Sequence, residues 1–219
     1  MKLLLTLVVA TLACAGPARP GPTTDLLFVE GIFIDLPEGQ AISYDHQRTG
    51  AESPDFVPIT DGRITLLTGP TANSAGERSL SLTVEASVMR REIVDFPVSG
   101  GNPVLMVLLE SAVRSMATIS GGSPFYIRNR IKDSLRTGGE ATSGSRDFGG
   151  RTIAVQEVTL RPFAQDPNRA RMGAFADLTL RFVVSDAVPG HFLMLSADTP
   201  DQAKGYHENI TLTPQEAAE

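Results

Sequence analysis

The residues best suited to metal or proton chemistry are His46, His191 and His207, and their spacing supports neither. They fall on or beside three different strand-like runs, and none has a second ligand at a helical i, i+3 or i+4 interval. His46 shares a strand face with Ile42 and Tyr44, where a hydrogen-bonded core or rim histidine is expected. Asp45 adjoins it, but neighbours on a strand point to opposite faces, so Tyr44-Asp45-His46 is no dyad by itself. The chain has no G-x-S-x-G elbow, and its serines fall in turns, caps and strand faces. Lysine occurs only at Lys2, Lys132 and Lys204, none in a phosphate-binding glycine loop. No catalytic residue, metal or cofactor is assigned. The chain reads as leaning away from an enzyme, although a site assembled from distant residues stays open.

Two features are less neutral. Arg114, Arg128, Arg130, Lys132 and Arg136 cluster on a helical segment against Glu110 and Asp133, in a chain of net charge −6. Such a basic patch suits anionic lipid headgroups or an acidic partner, or is a solvated helix face. The acidic balance itself argues against a nucleic-acid partner. The single cysteine, Cys14, excludes a disulfide framework and a cysteine-rich metal site.

Cys14 ends the apolar run Leu3–Leu12, which follows Met1-Lys2 and precedes the small residues around Ala15. This three-part design is that of a secretory signal over residues 1–15, which directs the chain to the periplasm. Cys14 is then discarded with the signal. The alternative is that Thr11-Leu12-Ala13-Cys14 acts as a lipobox, Cys14 is acylated, and the protein is anchored in the envelope. Residues 16–24, rich in Pro and Gly, form a tether. No stretch is long enough to be a transmembrane segment.

From residue 25 to 213 the chain reads as a single β-rich α+β domain. Period-two alternation is clearest in Ser79–Glu85 and Asp177–Ser185. Further strands are expected at Leu26–Leu36, Ala41–Gln47, Arg63–Thr68, Val88–Phe96, Arg151–Arg161, Phe192–Ala197 and Tyr206–Leu212, about nine in all. The apolar phase of Arg151–Arg161 shifts between Val155 and Val158, which predicts a bulge.

Asn102-Pro103 and Ser123-Pro124 are helix starts, so two helices form a hairpin over residues 103–136. Thr137–Gly150 reads as a flexible loop, and residues 214–219 as a disordered tail. The economical arrangement is a curved antiparallel sheet, a half-barrel, packed on the hairpin. Leu80, Leu82, Val84, Leu105, Met116, Leu178, Leu180 and Phe182 either line an apolar-ligand cavity or form plain core.

Ile42-Ser43-Tyr44 and the β-rich half Arg151–Leu212 resemble the half-barrels of periplasmic lipoprotein carriers of the LolA and LolB type. The string from Gly122 to Arg130 resembles uncharacterised envelope proteins of alphaproteobacteria. The first likeness covers architecture, and it implies a non-enzymatic envelope protein that shelters a lipid or acyl chain. The chain departs from the carriers in entering on a strand, Leu26–Leu36, where they have an N-terminal helix. The alternative is an interaction or scaffolding module that binds an envelope protein and has no pocket.

Overall fold

The computed structural model describes residues 22–72, 76–86, 89–200 and 205–214. The signal segment with Cys14, the tether up to residue 21, Val88 and residues 215–219 lie outside the described residues. The fold is α+β, dominated by one curved antiparallel sheet. Its strands are β1 (Ala41–Thr49), β2 (Ile59–Ala72), β3 (Arg78–Ala86), β4 (Met89–Pro97), β5 (Glu140–Phe148), β6 (Arg151–Leu160), β7 (Thr179–Val184), β8 (Phe192–Asp198) and β9 (His207–Leu212). The spatial order is β4-β3-β2-β1-β9-β8-β7-β6-β5, with β4 and β5 as edges. The sheet is thus two four-stranded meanders joined by the last strand.

Among the described residues three α-helices accompany it: α1 (Pro22–Leu27), α2 (Val104–Ser120) and α3 (Pro124–Thr137). Helix α2 opens as its sequence predicts. Pro103 already has helical dihedrals, and Asn102 Oδ1 accepts the Val104 N–H at 3.0 Å. Its end is set by Gly121 at φ 68°, whose N–H bonds to Ala117 O. Ser123 caps α3, and Ile127, Ile131 and Leu135 form its buried stripe. Helix α2 packs on α3 and across β8 and β9. Leu105, Leu108, Ala112 and Met116 join the sheet residues in a continuous core.

Three expectations need correction. Leu26–Leu36 is not a strand: α1 ends at Leu27, and turns follow. Leu27 and Phe33 still bury there, because Arg78 donates to Ile34 O and Leu36 O while Gly31 N–H reaches Ser99 O. The backbone is satisfied without a ladder, so apolar content alone misread it. This helix also takes in residues 22–24 of the expected tether.

Thr137–Gly150 is not a loop either. Residues 140–148 pair with β6 along their whole length, although their side chains are almost all exposed. Nothing in their polar, glycine-bearing sequence alternates, so the ladder came from β6. Finally, β6 has no register break with β5 or β7. Its phase shift is a change of buried face, from Ile153 and Val155 to Val158 and Leu160, and not a bulge.

Candidate functional site

A polar network lies inside the apolar core where β1 meets β9. The register sets His46 opposite Ile210 and Arg48 opposite Glu208. Glu208 is fully buried, and its two carboxylate oxygens are taken by His46 Nε2 at 2.6 Å and by the Tyr206 hydroxyl. Burial, then the Glu208 charge, pushes the Tyr206 hydroxyl far above its ordinary pKa, so it stays a donor. Ser115 of α2 hydrogen-bonds the same tyrosine. Arg48 Nη1 donates to Ser111 Oγ of α2 at 2.9 Å, and Nη2 donates to Val57 O at 2.6 Å. Its guanidinium lies 5.4 Å from the Phe56 ring centre, and Phe56 meets Tyr206 edge-on.

This network ties α2 to the sheet through two serines. Both serine hydroxyls are engaged, and His46 Nδ1 has no hydrogen-bond partner. No nucleophile is set before it among the described residues, and these hold no cluster of three His, Cys, Asp or Glu suited to a metal. The arrangement can hold and orient.

Beside it, two clefts of about 370 and 410 Å³ open around the C-terminal end of α2. They share Ser120, Arg171 and Met172 and adjoin there as the two arms of a groove. Ile119, Phe175 and Tyr206 line the first cleft; Met116, Tyr126 and Ile127 line the second. Met116, Ile127, Phe175 and Tyr206 are themselves core residues, so the groove floor is continuous with the core. No carboxylate among the described residues lines either cleft.

The wall is fixed by two further clusters. Asp166, with its side chain buried, accepts from Tyr126 Oη at 2.9 Å, Arg130 Nε at 2.7 Å and the Asn168 N–H at 2.7 Å. Burial raises its pKa, but these donors outweigh it and hold the carboxyl below the ordinary range. Arg169 donates to Phe163 O, Ala176 O and Asp177, which pins the loop carrying Arg171 and Met172.

Seven of the eight predicted lining residues, Val84 excepted, are at most 2% exposed, and all eight pack in the core or against it. Only Met116 also borders the groove. Of the five cations, Arg114 and Arg128 both bind Glu110, Arg130 binds Asp166, and Arg136 binds Asp133. Glu110 would be raised by burial, yet its two arginines hold it below its ordinary value. Lys132 is exposed on α3. Sequence reasoning placed His46 on the right face with Ile42 and Tyr44 but had no means of finding Glu208, 162 residues away. The one available signal was Glu208 itself, an acid in register with Ile210 and Leu212 on an apolar strand face.

His191 and His207 have structural partners: His191 Nε2 lies 2.9 Å from Leu26 O, and His207 Nδ1 lies 3.1 Å from Asp198.

No protein-family profile matches the chain, and no curated protein matches it. Among solved structures, it is similar to the lipoprotein LppX of Mycobacterium tuberculosis. The two share 12% identity with a TM-score of 0.35, over 82% of this chain and 89% of that one.

Proposed function

We propose that this chain is a non-enzymatic protein of the cell envelope that holds an apolar ligand, a lipid or acyl chain, against its half-barrel. The observation that carries the reading is the joined groove at the end of α2, whose floor of Met116, Ile127, Phe175 and Tyr206 is continuous with the core. Apolar floor, polar rim and a volume of several hundred Å³ suit a small-molecule site. The signal-like residues 1–15 support the periplasmic address, with acylation of Cys14 the alternative form of attachment.

Binding of a neutral fluorescent probe, N-phenyl-1-naphthylamine, tests the reading. Ala174→Trp fills the first cleft from an exposed turn and is expected to weaken binding at least ~10-fold. Absence of probe binding by the unaltered protein would sink the proposal.

A second reading, an interaction module with no ligand, draws on Phe125. It is 72% exposed in the first turn of α3, beside the groove residue Tyr126. Self-association or partner capture lost in Phe125→Ser, with no probe bound, would favour it.

A further inference from the structure

We propose that the groove takes a single-chain amphiphile with a carboxylate head, a long-chain fatty acid, and that Arg171 reads the head. This deepens the apolar-ligand reading above and rests on it. Arg171 lies where the two clefts meet and lines both. It is exposed and pairs with no carboxylate among the described residues. Its neighbour Arg169 is consumed by Asp177 and two carbonyls, so it holds the loop while Arg171 stays available. The nearby Arg130 is likewise spent on Asp166.

Charge complementarity decides the head. In a chain with 25 acidic residues, the described residues that line the two clefts include no carboxylate and one shared cation. A planar guanidinium fork matches one carboxylate in two parallel hydrogen bonds. The tail has two ways to run from that point. One leads past Met172 to Phe175, Tyr206 and Ile119; the other leads past Met172 to Met116 and Ile127. Clefts of about 370 and 410 Å³ lie at the small end for ligand sites, which fits one chain rather than a diacyl lipid.

The test compares oleate with oleyl alcohol, which differ at the head, by displacement of N-phenyl-1-naphthylamine from the full chain at neutral pH. Oleate is expected to bind about tenfold more tightly. In Arg171→Gln that preference should vanish while oleyl alcohol binds as before. Equal affinity for both ligands in the unaltered protein would overturn the carboxylate assignment and leave the apolar-ligand reading standing. A preference that survives Arg171→Gln would overturn the role of Arg171. Binding of neither compound would overturn the apolar-ligand reading as well.

Discussion

His46 Nε2 lies 2.6 Å from Glu208 Oε1, although the strand register sets Arg48, not His46, directly opposite Glu208. The carboxylate reaches the diagonal neighbour on its own face, while Arg48 turns to Ser111 of α2 and Val57 O. The pair is fully enclosed, so its value lies in mutual satisfaction: removing one member leaves the others as unmet polar groups in a low-dielectric interior.

Glu208→Ala therefore strands both His46 and Tyr206. The expected loss is about 3–5 kcal/mol, read as a lower urea midpoint. Glu208→Gln keeps an acceptor for Tyr206 and should cost less. Equal losses in the two variants would mean that shape, and not hydrogen bonding, governs this position.

Asp166 carries a pH dependence whose sign is fixed. Its folded pKa is held below the ordinary aspartate value by Asn168, Tyr126 and Arg130. The stability it contributes is complete above that value and drains away as pH falls through the folded pKa. Asp166→Asn should lose about 1–3 kcal/mol at pH near 7, and its difference from the unaltered protein should shrink below pH about 4. A gap that stays constant on acidification would contradict the assignment.

Asn102 joins three elements. Its side chain accepts from Val104 at the start of α2 and donates to the Tyr44 hydroxyl at 3.0 Å and to Gly190 O at 2.7 Å. Asn102→Ala removes all three bonds and should cost about 2 kcal/mol. Amide exchange at Val104 should rise with it; unchanged protection there would show that the cap is dispensable.

Gly139 enters β5 so close to β6 that an added Cβ would lie 2.1 Å from Thr159 O. Gly139→Ala should lower stability by roughly 1–3 kcal/mol. The damage should fall on the β5–β6 hairpin, visible as faster proteolysis of residues 140–160. A fully stable variant would require a backbone shift that the pairing of Glu140 with Thr159 does not allow.

The legible parts of this fold were those with local periodicity. The stripe Ile127, Ile131, Leu135 and the alternation Leu80, Leu82 announced their elements because each buries one face of a regular structure. Residues 140–148 did not, since an edge strand exposed on both faces has no apolar signature and depends on its partner. Leu26–Leu36 misled for the opposite reason: buried residues such as Phe33 can be held by turns. The site was harder still. Glu208 and Phe175 meet their partners, and Arg171 reaches the clefts, only through the sheet order and the turn after Asn168, and neither is written at short range.

The placement of β9 also dictates an assembly schedule. Its residues come near the end of the sequence, yet they sit between the two meanders and pair with both β1 and β8. A chain made from its N-terminus can lay down residues 41–97 and 140–198 as separate half-sheets but cannot join them until His207–Leu212 arrives. The closing contact also carries Glu208, so the inner surfaces of both halves wait on one late hexapeptide. Such long-range closure is slow by nature and leaves two bare edges exposed to misassembly.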